Sequence, residues 1–312
     1  MNNRVGVIGL GRMGLPIART LISAGFDVVA TSRSASSREA AKADGLFIVD
    51  TPAAVAAETG IILISVFDTA AVEAVIRAQD GILSSLSKGS VVVDLGTTAV
   101  SATRALADEL AERGSSLVDA PVSGGTRGAA QGSLTIMAGG SSAAIEKVRP
   151  VFECLGRLNH MGPVGAGQST KAVNQLILGQ TLIAVAEGIT LARGLGLDPA
   201  AVREALLGGF AESRVLAEHG KRMVEENFTP GGSVAVFHKD LRLVEALAHE
   251  TKLDLPGLRL AEKSYAHAMS NGLAGSDQSA VVQLYVTHQQ GYRGNIEKLA
   301  QGWWKFEDGV AS

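Results

Sequence analysis

The chain has 312 residues, 46% of them hydrophobic and 19% charged, with a formal net charge of −3. At roughly 100–200 residues per domain this favours two domains, and the balance excludes both a disordered chain and a basic nucleic-acid footprint. Glycine is in excess, 37 residues or about 12% against a usual roughly 7%, with few prolines and no period, so the glycines serve particular backbone positions.

Short apolar runs at residues 4–10, 27–32, 46–49, 61–66, 91–95, 116–119 and 134–138 alternate with segments of helical period such as 99–113. Several runs are continuous and β-branched (IILISV, VVVDL), as strands buried on both faces should be. The alternation predicts an α/β Rossmann domain with a doubly wound parallel sheet over residues 1–163. After Gly162-Pro163-Val164-Gly165-Ala166-Gly167 the character changes. One long helical stretch runs from 168 to about 193, followed by helices at 199–207, 213–225, 239–251 and 257–271. Residues 164–312 are therefore expected to form an all-α domain joined to the first by a long interdomain helix.

The first run ends in Gly9-Leu10-Gly11-Arg12-Met13-Gly14, a GxGxxG between a predicted strand and a predicted helix. The first glycine allows the tight turn, the second the approach of a pyrophosphate, and the third close helix–strand packing. The second run ends in Thr31-Ser32-Arg33-Ser34, with no acid to accept a ribose 2′-hydroxyl. An arginine flanked by hydroxyls suits a 2′-phosphate, so Ser32, Arg33 and Ser34 point to NADP, with NAD as the alternative.

Two further constellations bear on chemistry. Ser123-Gly124-Gly125 follows a predicted parallel strand, the sheet edge where open α/β sheets bind ligands, and its hydroxyl and backbone N–H groups suit a small carboxylate. Lys171 lies near the start of the long helix, with Asn174 and Gln175 at i+3 and i+4 on the same face. A serine hydrolase is disfavoured, because Ser123 lacks a GxSxG elbow and evident His and acid partners.

The pieces GLGRMG, VVVDLGTTAVSATR, DAPVSGGTRGAAQGSLTIMAGG, GPVGAGQSTKAVNQ, FTPGGSVAVFHKDL and a late SDQSA stand in order over nearly the whole chain to about residue 286. In these the sequence resembles the β-hydroxyacid dehydrogenases. The resemblance implies that Ser123, Gly124 and Gly125 hold the substrate carboxylate, and that Lys171 is the catalytic lysine. It implies that Asn174 and Gln175 contact substrate, that Lys239 of the Lys239-Asp240 pair closes the site, and that Val66, Phe67, Thr97 and Lys239 line the cofactor. Three positions depart from the common pattern: Gln175 stands where many members have Asn, Phe67 where Pro is common, and Gly96 where Ser is common.

The implied reaction is reversible hydride transfer between nicotinamide C4 and the carbonyl carbon of a short carboxylated aldehyde. Lys171 acts as general acid or base, lysine being suited to this because desolvation or a second cation brings its pKa towards operating pH. The preferred substrate is tartronate semialdehyde, giving glycerate, with L-threonate and 3-hydroxyisobutyrate as alternatives. A non-catalytic NADP-binding sensor is the reading from another class, and it would need neither Lys171 nor the Ser-Gly-Gly loop. The six histidines show no ligand spacing, so no metal is expected. Cys154, alone in the sequence, is expected to be a buried thiol, and its solitude to mean a reducing, cytoplasmic setting. No signal-type segment opens the sequence. Residues 176–197 are interrupted by Gln180, Glu187 and Arg193, too polar for a membrane span of about 18 apolar residues. The expected partners are a small hydroxy-acid substrate and further copies of the chain, as a homodimer or homotetramer through the helical domain. Trp303 and Trp304 in the tail are expected at such an interface or on their own domain.

Overall fold

The structure, a computed structural model, describes residues 3–286. By contacts it divides between Lys171 and Ala172 into two compact units. Trp303 and Trp304 lie outside the described residues.

The first unit is built on one sheet. Its strands are β1 (Arg4–Ile8), β2 (Asp27–Thr31), β3 (Phe47–Ile48), β4 (Ile61–Ile64), β5 (Val91–Asp94), β6 (Ser116–Asp119), β7 (Val122–Ser123), β8 (Leu134–Gly139) and β9 (Gly156–Gly162). They lie in the order β3-β2-β1-β4-β5-β6-β8-β7, with β9 also paired to β8. The six strands from β3 to β6 are all parallel. Their central members bury alternate residues on opposite faces. Val5, Val7, Leu63, Val91 and Val93 enter one apolar cluster with Ile17 and Leu21 of the helix Gly14–Ser23. Ile8, Ile62, Ile64 and Val92 enter the other, with Leu106 and Leu110 of the helix Val100–Glu112. Each fully buried Ile or Leu contributes roughly 1.5–3 kcal/mol to holding helices on both faces.

The continuous apolar runs thus form the parallel strands they predict, and the sheet is doubly wound. Beyond β6 it departs from purely parallel pairing: β8 runs antiparallel to β6 and β7. The two strands that periodicity does not reveal lie here. β7 is two residues long, and β9 (GRLNHMG) carries neither alternation nor a β-branched run, being a strand by virtue of its parallel ladder to β8. Cys154, in the helix Ser142–Leu155, is half-buried and not fully buried as expected; its thiol donates to Pro150 O at 3.2 Å.

The second unit is helical among its described residues. Most of the helix Ala166–Gly194 belongs to it, with Pro199–Leu206, a π-helical turn Leu216–Gly220 running into Lys221–Glu225, then Val234–Glu250 and Pro256–Ser270. The helix Ala166–Gly194 passes for a membrane span on length and composition alone. The second unit uses much of that apolarity internally: Leu182, Ile183 and Ala186 pack with Leu241, Phe237 and Tyr265, the last two rings edge-to-face with centroids 4.8 Å apart. The helix ends in a Schellman turn, Leu197 N donating to Ala192 O and Gly196 N to Arg193 O, with Gly196 at φ +73°. The helix carrying Lys239 begins earlier than its period indicates, at Val234, because Ser233 caps it by accepting from Val236 N.

Candidate functional site

In the first unit, the expected cofactor residues lie on loops that leave the carboxyl ends of the parallel strands: 9–14 after β1, 32–34 after β2, 66–67 after β4 and 96–97 after β5. The order reverses between β1 and β4, the switch point at which such sheets open a crevice for a ligand.

The GxGxxG turn separates into parts made for the protein and a part open to a ligand. A Cβ on Gly14 would stand 1.8 Å from Gly9 O, and one on Gly9 (φ +97°) 2.3 Å from Ser65 O. Gly14 is thus dictated by the close approach of its helix to the end of β1, and Gly9 by its positive φ and the close approach of the chain after β4. A Cβ on Gly11 would meet no protein atom within 4 Å. Gly11 is therefore not required by internal packing, and bare backbone at the amino end of a helix is the cradle that a pyrophosphate fits. Leu10 is buried in the core, whereas Arg12 and Met13 lie on the turn.

After β2, Ser34 is the N-cap of the helix Ala35–Ala43, accepting from Ser37 N at 3.2 Å. Arg38 folds back to donate to Ser32 O at 2.6 Å and Arg33 O at 3.2 Å. Arg33 is exposed, and among the described residues no hydrogen bond or ion pair holds its guanidinium. After β4, Val66 is half-buried and Phe67 is 53% exposed.

Lys171 and the Ser-Gly-Gly loop meet in the same unit. Lys171 is 7% exposed, and its Nζ donates to Val122 O at 2.9 Å, placing the amine at the residue before Ser123. Ser123 ends β7, and Gly124 and Gly125 lead into the short helix Gly125–Gln131. The lysine's helix starts on a carboxylate supplied from the sheet. Asp119 at the end of β6 accepts from Gly165 N and Gln168 N, both at 2.8 Å, satisfying two of the amide groups that a helix start leaves without partners. Burial pushes the Asp119 carboxyl up to about 6 even though backbone N–H groups favour its charge, and nearby Asp94 adds to the rise.

Asp94, Asp119 and Gln168 are the residues that the motifs do not single out. The signal was present: both VVVD and SLVD run through apolar residues to an acid at the strand end, and a buried carboxylate must be supplied with donors. Asp94 accepts from Gly96 N at 2.9 Å and from the Thr98 hydroxyl at 2.7 Å.

In the second unit Asn174 donates to Gln175 Oε1 at 2.7 Å, and Gln175 donates to Asp240 Oδ2 at 2.6 Å. Lys239 pairs with Asp240 Oδ1 at 2.9 Å. Both ends of the Gln175 amide are thus engaged, which fixes its orientation. Among the described residues no group of three or more His, Cys, Asp or Glu side chains could hold a metal ion.

A doubly wound sheet with a glycine turn at its switch point, followed by a helical unit, defines a dinucleotide-dependent oxidoreductase architecture. The family described as the NAD binding domain of 6-phosphogluconate dehydrogenase matches residues 4–165. That described as NAD-binding of NADP-dependent 3-hydroxyisobutyrate dehydrogenase matches residues 165–285. The 2-hydroxy-3-oxopropionate reductase of Escherichia coli is 38% identical over 90% of this chain and 96% of its own. The 2-(hydroxymethyl)glutarate dehydrogenase of Eubacterium barkeri is 35% identical over 90% of this chain and 94% of its own. Among solved structures, 3-hydroxyisobutyrate dehydrogenase from Salmonella typhimurium superposes with a TM-score of 0.83 at 28% identity, covering 90% of this chain and 99% of that one. The chain belongs to the 3-hydroxyisobutyrate dehydrogenase-like family. It is an NAD(P)-dependent β-hydroxyacid dehydrogenase acting on small hydroxy acids.

Proposed function

We propose that the protein interconverts tartronate semialdehyde and glycerate, with NADP preferred over NAD. One observation carries the catalytic part of this reading: the buried Lys171 amine is held at Val122, directly before Ser123-Gly124-Gly125. An amine and a carboxylate-binding loop at such close quarters suit a substrate whose carbonyl is one or two carbons from its carboxylate. The choice of tartronate semialdehyde is supported by the 38% identity to a 2-hydroxy-3-oxopropionate reductase. The first unit is assigned to the cofactor, the substrate carboxylate and the lysine, and the second to the remaining substrate contacts and to self-association.

When bound, the nicotinamide supplies or accepts the hydride. Residues 9–14 would hold the pyrophosphate, Ser32, Arg33 and Ser34 the 2′-phosphate, and Val66, Phe67 and Thr97 the rest of the cofactor, with Lys239 beside it. Ser123, Gly124 and Gly125 grip the substrate carboxylate through a hydroxyl and backbone N–H groups. Lys171 gives a proton to the carbonyl oxygen in reduction and removes it from the hydroxyl in oxidation. Asn174 and Gln175 hydrogen-bond the substrate, Gln175 in the orientation that Asp240 imposes.

The test is a matched screen of the wild type and Lys171→Ala. NADPH and NADH oxidation are followed with tartronate, methylmalonate and succinate semialdehydes, and NADP and NAD reduction with threonate. The expected result is the highest kcat/KM with tartronate semialdehyde and NADPH, a loss of about 10²–10⁴-fold in K171A, and unchanged NADPH binding. A higher kcat/KM for another substrate overturns the substrate assignment, and wild-type turnover in K171A overturns the role of the lysine.

A further inference from the structure

Gln168 sits in the first turn of the lysine's helix, three residues before Lys171, yet it is 2% exposed. A buried amide is costly unless its groups are matched, and this one is matched on both sides. Its Oε1 accepts from Thr98 N at 3.1 Å; its Nε2 donates to Gly96 O at 3.0 Å and lies 3.4 Å from Asp94 Oδ2. Its backbone N–H donates to Asp119 Oδ2 at 2.8 Å. Capping the helix needs only the last of these contacts. The side chain does something else: it ties the turn after β5, residues 96–98, to the helix that bears the lysine.

We propose that Gln168 is a positioning residue for hydride transfer, a strut that sets the spacing between the turn carrying Thr97 and the amine of Lys171. The inference rests on the reading that Thr97 lines the cofactor and Lys171 handles the proton. The two groups belong to different segments, and the Lys171 amine itself donates to Val122 O at 2.9 Å. Displacement by about 1 Å between reacting groups costs about 10²-fold in rate. Side-chain bonds from residue 168 to both Gly96 O and Thr98 N prevent the turn from sliding along the helix.

The amide's polarity provides the test. Protonated glutamate is a near copy of glutamine here, its carbonyl accepting from Thr98 N and its hydroxyl donating to Gly96 O. Ionised glutamate instead turns an oxygen towards the Gly96 carbonyl and the Asp94 carboxylate. Among the described residues, the charged groups about the position are Asp94 from β5, 3.4 Å from the side chain, Asp119 from β6, on the backbone N–H, and Lys171 three residues on in the same helix. In Gln168→Glu, kcat relative to wild type is expected to rise about tenfold or more as pH falls from about 8 to about 6. The rate at which an amine reagent modifies Lys171 without substrate, read by mass spectrometry, should fall towards wild type over the same range. Gln168→Leu should lose about tenfold or more in kcat at every pH, with its Lys171 modified faster and NADPH affinity, read by fluorescence, within about threefold of wild type. A Q168E-to-wild-type ratio that is flat with pH overturns the proposal, as does a Lys171 modification rate that is unchanged in Q168E. Q168E keeps this decision open should Q168L not fold. Wild-type turnover in K171A removes the lysine reading and the strut with it; an inactive K171A beside a flat Q168E ratio removes the strut alone.

Discussion

Arg33 and Arg38 both stand just after β2, but they do different jobs. Arg38 is spent on carbonyl groups at residues 32 and 33 and so shapes the loop. Among the described residues no hydrogen bond or ion pair holds the Arg33 guanidinium, and its fork geometry suits the 2′-phosphate proposed for it. A charge-assisted hydrogen bond contributes about 1.5–3 kcal/mol, so Arg33→Asp should lower the NADPH-to-NADH ratio of kcat/KM by about tenfold or more, whereas Arg38→Ala should weaken both cofactors together. Steady-state kinetics with each cofactor checks this, and a ratio unmoved in R33D would place the phosphate elsewhere. The sequence is sufficient to find Arg33, because the missing acid at the end of β2 is a local feature. It is not sufficient to find Gln168, whose partners lie about 70 residues earlier in the chain.

Two elements are secured by buried aspartates with opposite acid–base behaviour. Asp119 starts the helix Ala166–Gly194 and has its carboxyl raised to about 6, chiefly by burial. An unfolded aspartate titrates near 3.9. Between about pH 4 and pH 6 the folded form therefore holds a proton that the unfolded chain has lost, and stability falls as pH rises through that window. The span of roughly two pK units corresponds to about 3 kcal/mol. Urea unfolding of the wild type and Asp119→Asn across this range should show the decline in the first and not in the second; equal slopes would refute it. Asp277 acts in the other direction. Burial opposes its charge, but His219, the Ser279 hydroxyl and N–H and Gly231 N–H outweigh burial and hold its carboxyl well below the usual range. Its contribution is present above about pH 4 and is lost only on further acidification, so it does not confuse the first window. Asp277 also joins the segment before the helix Val234–Glu250 to the loop after Pro256–Ser270, through Gly231 N–H to its carboxylate and its own N–H to Phe228 O. The helices of this unit were legible by period and their stops by glycine or asparagine; the clamps between them were not, since they join loops with no repeating pattern.

For the whole molecule, local chemistry accounts for the α/β-then-α plan, and the β-branched runs gave six parallel strands their places. The antiparallel return at β8 is set by pairing partners instead of composition, which is why periodicity passes over β7 and β9. The glycine turn and the lysine segment are visible as short motifs, and so is an acid at the end of two strands; the donors that the Asp119 carboxylate meets are not, since they lie on a distant segment of the chain. Some apolar side chains are left uncovered in the second unit. Val173, Ile177, Leu191 and Leu195 are exposed along one helix and its end, and Phe210 is fully exposed. We propose that these residues bury themselves against another copy of the chain. Light scattering should report a dimer or tetramer, and Ile177→Asp should shift it towards monomer; a wild-type monomer at micromolar concentration would refute the assignment.

The division between Lys171 and Ala172 falls inside a continuous helix, and this bears on how the protein can be recombined with its relatives. A chimaera joined after residue 163, at the glycine-rich connection, would draw Gly165, Gln168 and Lys171 from one parent and Asp94, Asp119 and Val122 from the other. The helix cap, the strut and the lysine's anchor would then depend on two lineages at once. Crossing over eight residues later, after Lys171, keeps all of these contacts within one parent. The useful seam for exchanging the second unit therefore runs inside a regular element instead of the loop that precedes it.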